Sequence, residues 1–399
     1  MNLPSINSLD LFNKKILIRV DFNVPLNSDR TIADPSRILQ TLPTINYVLE
    51  KGGIPILMSH LGRPNGKVNL DYSLKPCADY LNNVLKLNVI LAPNCCDEST
   101  LSMAKSLKQG DLLLLENLRF HRAEEHPEED PSFAKKLSEL GDIYINDAFG
   151  TAHREHSSTF TVAQYFKGKS AAGLLLEKEV NYLEKLLLNP TIPFYAIIGG
   201  SKISSKLGIL KSLASKSQGI FIGGGMCFNF MKVLGHEIGD SLCEPDLLST
   251  TKNFIDECIQ QNTKLFLPKD ILIAKSIDAS ADTKIVNFNS NIPDGYIGVD
   301  IGPATIKDWF EHLSKAKTIF WNGPVGIFEI SPFSNGTFCL AKHIASINDC
   351  TTVVGGGESV SVIHKLHLEN KFSHISTGGG ASLEFIENGS LPGIKALIS

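Results

Sequence analysis

Residues 14–23 read KKILIRVDFN. A short apolar run rich in β-branched residues ends in Asp21 and Asn23. Three more stretches in the first half follow the same plan: GIPILMSHLGR (53–63), DLLLLENLRFHR (111–122) and DIYINDAFGTAHR (142–154). Each has strand length and ends in a loop carrying Arg or His, and helix-like stretches separate them. That alternation is the pattern of a parallel α/β sheet. In such sheets the loops after the strands share one edge, and ligands bind there. Arg63, Arg119, His60, His153 and Arg154 are therefore expected to converge, with the Asp21 loop beside them. Convergent cations need an anion, so this half is expected to bind a small, multiply charged acid or phosphate.

The second half keeps the strand-then-loop plan but changes the loops. Its runs are PFYAIIGGSK (193–202), GIFIGGG (219–225), KTIFWNGPVG (317–326), CTTVVGGGES (350–359) and KFSHISTGGG (371–380). Glycine replaces arginine. Gly-rich turns let backbone N–H groups approach a ligand closely, and a helix N-terminus favours phosphate. One Gly cluster is a weak signal, because it often marks only a tight turn. Five at successive strand ends point to a nucleotide site.

At 399 residues the chain exceeds the usual limit for one core, so two domains are expected. The net charge of −4 argues against a nucleic-acid binder. No apolar stretch approaches the ~18 residues of a membrane span. The opening residues MNLPSINSLD lack a basic region followed by an apolar run, so no secretory leader is expected. Eight cysteines show no CxxC or zinc-finger spacing. Those in apolar or helical contexts, such as Cys227, Cys258 and Cys339, read as inert thiols, and a reducing cytoplasm fits.

Three helices bear on function. One follows Asp34-Pro35, an N-cap and first-position pair. Ile38, Leu42, Ile45 and Leu49 recur at helical spacing before Gly52-Gly53, and Arg37 falls in the first turn, off that apolar face. A second helix is expected from Ser201, with Ile203, Leu207, Leu210 and Ala214 as its stripe and Lys202 and Lys206 on one common face. Like charges at that spacing repel weakly, and a bound polyphosphate would reverse the cost. The third, marked by Leu176, Val180, Leu183 and Leu187 and stopped at Asn189-Pro190, is the candidate connector and hinge. The acidic stretch Glu124 to Asp130 reads as a solvated loop.

Several motifs are missing. There is no GxxxxGK[ST] P-loop, no GxGxxG after the first strand, and no HRD or DFG kinase pair. What is present closely resembles the phosphoglycerate kinase family over nearly the whole chain. The matching segments are RVDFNVP (19–25), HLGRP (60–64), ENLRFH (116–121), GTAHR (150–154), GGSKISSKLG (199–208), GGGM (223–226), DIGPAT (300–305), WNGPVGIFE (321–329) and STGGGASLE (376–384).

The resemblance implies an α/β fold: two doubly wound, Rossmann-like parallel-sheet domains joined by a helix hinge. It implies an N-terminal 3-phosphoglycerate domain of residues 1–172 plus 377–399, a connecting helix at 173–189 and a nucleotide domain at 190–376. The family transfers the acyl phosphate of 1,3-bisphosphoglycerate to ADP, giving 3-phosphoglycerate and ATP, with Mg2+. By the same resemblance, Asp21, Asn23, Arg37, His60, Arg63, Arg119 and Arg154 would hold the glycerate substrate, with His153 beside it. Lys202 would stabilise the transferring phosphoryl group and Lys206 would bind nucleotide phosphates. Gly224, Gly225, Asn322, Pro324 and Glu329 would line the adenosine pocket. Gly355, Gly356, Gly357, Glu358 and Ser359 would reach phosphates and metal, with Glu358 the metal ligand. Gly379 and Gly380 would present backbone amides to the phosphate in transit. A cytoplasmic monomer acting on small molecules, without nucleic-acid or membrane partners, is implied.

The chemistry agrees. A carboxylate nucleophile with a pKa near ~4 is already ionised at pH 7 and needs no general base. Arginines, lysines and glycine amides then suffice for alignment and charge stabilisation. Arg37 and Lys202 sit in different domains, so closure would have to bring them together and exclude water. Two departures from the family pattern stand out: Glu358 where Asp is usual, and Glu155 where Ala is usual beside Arg154. Ser205 and Ala304 also differ, without consequence for the assignment. A non-catalytic binding protein on the same fold is kept open by Glu358. A nucleotide-dependent dehydrogenase is disfavoured by the missing dinucleotide fingerprint.

Overall fold

The structure is a computed structural model that describes residues 2–398. The chain divides into two compact units, one of residues up to 181 together with those from 390 onward, the other of residues 182–389.

The first unit is built on β1 (Lys15–Arg19), β2 (Ile54–Met58), β3 (Val89–Leu91), β4 (Leu112–Leu114), β5 (Ile143–Asn146) and β6 (Ser170–Ala172). They form one sheet in the order β3-β4-β2-β1-β5-β6, every pairing parallel. Helices cover a parallel sheet on both faces, so its strands are apolar throughout. All five residues of β2 are buried accordingly. Neighbours β1 and β5 lead to opposite sides of the sheet, β1 to β2 and β5 to β6. Their loops part at the C-terminal edge and leave a crevice there.

Helix Ser36–Glu50 follows β1 and buries Ile38, Ile45 and Val48 against the core that contains Ile16, Ile18 and Ile145. Each such side chain is worth roughly 1.5–3 kcal/mol relative to exposure. The Asp34 carboxylate accepts from Ser36 N at 2.9 Å, closing the first turn.

The second unit contains β7 (Phe194–Ile198), β8 (Gly219–Ile222), β9 (Lys264–Phe266), β10 (Asp270–Ala274), β11 (Thr283–Asn287), β12 (Ile297–Ile301), β13 (Thr318–Asn322), β14 (Thr351–Gly355) and β15 (His374–Ile375). Six of them make a parallel sheet, β15-β14-β13-β7-β8-β9. Here β7 leads to β8 and β13 leads away to β14, so the crevice lies between the loops after β7 and β13. Trp309, Leu313 and Leu340 pack with Ile197, Phe221, Ile319 and Trp321 as the core. The remaining three strands form an antiparallel sheet, β11-β10-β12.

The structure revises three local expectations. The helix expected from Ser201 begins at Leu207, and residues 202–206 form a turn. Ser204 N donates to Glu244 Oε2 at 3.0 Å instead of taking a helical partner, so Lys202 and Lys206 do not share a helix face. Glu124, at the head of the acidic stretch, is fully buried rather than solvated. The segment returning to the first unit starts at 390 rather than near 377. Helix Gly380–Asn388 stays with the second unit, where Ser212 Oγ donates to the Ile386 carbonyl at 2.6 Å. The helix expected around Leu176, Val180, Leu183 and Leu187 runs Leu174–Leu188 with all four buried, and the division between the units falls within it.

Candidate active site

In the first unit the loops after β1, β2 and β4 are stitched together by polar side chains. Asn23 Oδ1 accepts from Gly62 N at 2.9 Å, and Arg119 Nη1 donates to Gly62 O at 2.9 Å. Asn117 Nδ2 donates to the Leu61 carbonyl at 2.7 Å. Asp21 Oδ1 accepts from Asn23 N at 3.2 Å, and its Oδ2 takes Arg37 Nη1 at 2.7 Å. Asp21 thus aims a guanidinium. Arg154, in the loop after β5, donates from Nε to His153 Nε2 at 3.2 Å, and its Nη1 lies 4.0 Å from Glu125. Arg63 is exposed on the β2 loop. Glu155 is exposed and, among the described residues, enters none of these contacts.

Beneath this surface lies a charged layer not read from the sequence. Arg19 is 1% exposed. Its Nε donates to Ser158 Oγ at 2.8 Å, Nη1 to the Val20 carbonyl, and Nη2 meets His60 Nδ1 at 3.1 Å. Glu124 accepts from Ser158 N and Oγ at 3.1 and 2.6 Å. Burial raises the Glu124 carboxyl, and Arg19 works against that rise. Burial drives His60 well below its ordinary range, reinforced by Arg19, Arg119 and Arg37. His156 falls to about 3, first through burial and then through Arg119, Arg19 and Arg154.

A guanidinium only donates, so His60 Nδ1 must accept and the ring proton must sit on Nε2. His60 is then a neutral donor. Nitrogen-detected NMR is expected to show this tautomer persisting as pH falls through 6.5; a midpoint near 6.5 would contradict the arrangement.

In the second unit the loops after β7, β8 and β13 meet backbone to backbone. Gly200 N donates to the Pro324 carbonyl at 2.9 Å and Gly224 N to the Val325 carbonyl at 3.1 Å. A Cβ on Gly224, whose φ is +68°, would lie 2.6 Å from Gly200 O, so only glycine allows this approach. A pocket opens here, lined by Gly224, Gly225, Pro324, Glu329 and Glu358 and, on its apolar side, by Leu242 and Ile277. The last two were not singled out in the sequence. Their exposure at 55% and 51% is the remaining signal of an apolar wall without a protein partner.

Beside the pocket, Lys206 Nζ donates to Asn322 Oδ1 at 2.6 Å. Burial lowers the Lys206 ammonium, and the Glu358 charge opposes that. Asn322 Nδ2 is buried with no hydrogen-bond partner among the described residues. Gly357 and Glu358 are exposed in the first turn of helix Gly357–Lys365, which follows Gly355 and the N-cap Gly356. Ser359 is turned inward, where its hydroxyl accepts from Gly323 N at 2.7 Å; it secures the β13 loop. Lys202 is exposed on the 201–206 turn. Gly379, at φ +52°, is the N-cap of helix Gly380–Asn388, and among the described residues no atom beyond the chain neighbours and the helix's own backbone lies within 4 Å of a Cβ built at Gly379 or Gly380. That end of the helix is open to a ligand.

The profile of the family described as phosphoglycerate kinase matches residues 6–389. A phosphoglycerate kinase of Pseudothermotoga lettingae is 45% identical over 397 residues, covering 100% of this chain and 99% of that one. A protein of Triticum aestivum named phosphoglycerate kinase, cytosolic, is 47% identical over 99% of this chain and 98% of its own length. The solved phosphoglycerate kinase from Coxiella burnetii superposes with a TM-score of 0.90 at 37% identity, covering 99% of both chains. The chain belongs to the phosphoglycerate kinase family. It is a kinase, a phosphotransferase with a carboxyl group as acceptor, and phosphoglycerate kinase runs a reversible, ATP-generating reaction of glycolysis. The two parallel six-stranded sheets agree with solved phosphoglycerate kinases. Among the described residues no helix is long and apolar enough to cross a membrane.

Proposed function

We propose that the first-unit cleft holds 3-phosphoglycerate or 1,3-bisphosphoglycerate and the second-unit pocket holds ADP or ATP. One observation carries this reading: four strand-end loops place Arg37, His60, Arg63, Arg119 and Arg154 on one sheet edge. Arg119 and Arg154 would hold the substrate's anionic groups, with Arg63 and the neutral His60 donating beside them. Arg37, aimed by Asp21, would take the equatorial oxygens of the transferring group. Asn23 fixes the loops. From the other unit, Lys202 and the amides at Gly379 and Gly380 would share that charge, while Lys206 and the residues from Gly355 to Glu358 take the nucleotide phosphates. Transfer then requires the loops of both units to come together around one phosphoryl group. Catalysis is alignment plus charge stabilisation, with no protein base.

Glu358 suits Mg2+: it is a hard oxygen donor, exposed at the pocket and close enough to Lys206 to act on its charge. With the nucleotide phosphates it would hold the ion, which supplies charge neutralisation. Glu358→Asp is expected to shift the Mg2+ concentration for half-maximal turnover by about three- to tenfold, since octahedral geometry is demanding. Superimposed titration curves would show that the extra methylene is irrelevant. A cytoplasmic monomer is our further reading; eight free thiols and the relative named cytosolic support the compartment.

The direct test is ATP consumption by the purified protein with and without 3-phosphoglycerate, pulled forward by a coupled dehydrogenase. Turnover is expected to require both substrates and to vanish in Lys202→Ala. Folded, ADP-binding protein without turnover would favour the non-catalytic alternative.

A further inference from the structure

Arg119 is the most enclosed arginine of the substrate set, its side chain 6% exposed. Its Nη1 is committed to Gly62 O, and its Nε is buried without a hydrogen-bond partner among the described residues. Its Nη2 is 3.0 Å from Glu125 Oε1. The same oxygen lies 4.0 Å from Arg154 Nη1. Glu125 is 29% exposed and Arg154 is 41% exposed, so the carboxylate sits on the open side of a guanidinium pair. One carboxylate oxygen therefore occupies the position between the two cations that an acidic ligand would seek.

Without an anion, gathered guanidiniums repel one another, and partial burial strengthens that repulsion. A resident carboxylate relieves it. A ligand arriving with its own negative charge makes the resident one redundant and then repels it. Glu125 is the C-cap of the single turn Arg122–Glu124, so a side-chain rotation releases it without moving the backbone. Its neighbour Glu124 points the other way, buried on Ser158, and keeps the turn in place.

We infer that Glu125 is a displaceable counter-ion: it holds the anion position between Arg119 and Arg154 in the free enzyme and gives it up to the acid substrate. This rests on the substrate reading of the cleft given above. Glu125 then limits affinity, so that product leaves a site that refills its own vacancy. It is a positioning residue and takes no part in phosphoryl transfer.

The test is Glu125→Gln, which keeps shape and removes charge. Binding of 3-phosphoglycerate, measured calorimetrically on the nucleotide-free enzyme, is expected to tighten about tenfold, the scale of one charge-assisted hydrogen bond. KM for 3-phosphoglycerate should fall with it, without a rise in kcat, while the dissociation constant for ATP stays put. The free variant should melt earlier and gain more from 3-phosphoglycerate in a thermal-shift titration. Glu125→Asp, with the charge withdrawn by one methylene, should move affinity the same way by less, and serves if the Gln variant folds poorly. Weaker or unchanged 3-phosphoglycerate binding in both variants would overturn the inference, the first showing Glu125 to orient Arg119 for substrate and the second showing it to be a bystander. Arg119→Met separates this from the underlying reading. If that variant binds 3-phosphoglycerate like the wild type, the substrate assignment of the cleft fails. If it loses binding and Glu125→Gln does not tighten it, only the counter-ion role fails.

Discussion

Arg37→Ala is expected to lower kcat by about 10³-fold, the scale seen when a preorganised donor to the transferring charge is removed. The helix start after β1 brings Arg37 to the C-terminal sheet edge, and its side chain is 40% exposed, far more than that of Arg119. Asp21 holds one nitrogen at 2.7 Å, which fixes the plane of the guanidinium before substrate arrives. That preorganisation is what a transition state uses and a ground state need not. KM for 3-phosphoglycerate should therefore change much less than kcat. Nucleotide binding should be untouched, because the pocket belongs to the other unit. Arg37→Lys keeps the charge and loses the planar fork, so it should recover only part of the rate. Removing Arg37 also leaves Asp21, only 11% exposed, without its partner. The double variant Asp21→Asn, Arg37→Ala controls for that: it should be as slow as Arg37→Ala. Recovery of activity in the double variant, or loss of ADP binding in the single one, would refute the role given to Arg37.

The parallel sheets were legible because strands buried on both faces leave continuous apolar runs, as in Ile54–Met58. Convergence of the arginines followed from topology alone, since every loop after a parallel strand leaves at the same edge. The layer beneath was not legible. Arg19 meets Ser158 and His60 across 139 and 41 residues, and no local pattern announces such a partnership. Glu124 opens a run of acidic residues that looks solvated, yet its neighbours Glu128 and Glu129 are exposed while it is fully buried. The Lys202–Lys206 turn misled because Ile203 and Leu207 keep helical spacing, while a distant carboxylate, Glu244, captures the Ser204 amide and stops the helix from starting earlier. The antiparallel sheet β11-β10-β12 escaped because its edge strand Thr283–Asn287 is polar and largely exposed, so it carries little periodic signal.

Asp147→Asn is expected to stabilise the protein at pH 8 and leave it unchanged near pH 4. Asp147 is fully buried at the start of helix Leu174–Leu188, where Oδ1 accepts from Leu175 N at 2.9 Å and Leu176 N at 3.2 Å. Burial lifts its carboxyl from 3.8 to about 7, and the hydrogen bonds from Thr44 and the two amides only moderate the rise. The native state therefore holds a proton that the unfolded chain releases above pH 3.8. Stability must fall as pH climbs from about 4 to about 7. At about 1.4 kcal/mol per pKa unit, the full effect is roughly 4 kcal/mol. Asn keeps the oxygen that caps the helix and cannot ionise, so the variant escapes that loss. Asp300 repeats the situation in the second unit, buried and raised to about 7 while accepting from Gly336 N and Ile301 N. His60 and His156 act in the opposite sense. Their native pKa values lie below 6.5, so the unfolded chain takes up protons first and stability is lost as pH falls below 6.5. Between pH 4 and 6.5 the two pairs oppose each other, so denaturant unfolding of the wild type should depend on pH less steeply there than either pair alone would make it. Asp147→Asn takes one of the two carboxyls out of that balance, so with rising pH its stability should climb relative to the wild type across that window. A variant that tracks the wild type at every pH would mean that the Asp147 carboxyl is ionised in the native state despite its burial.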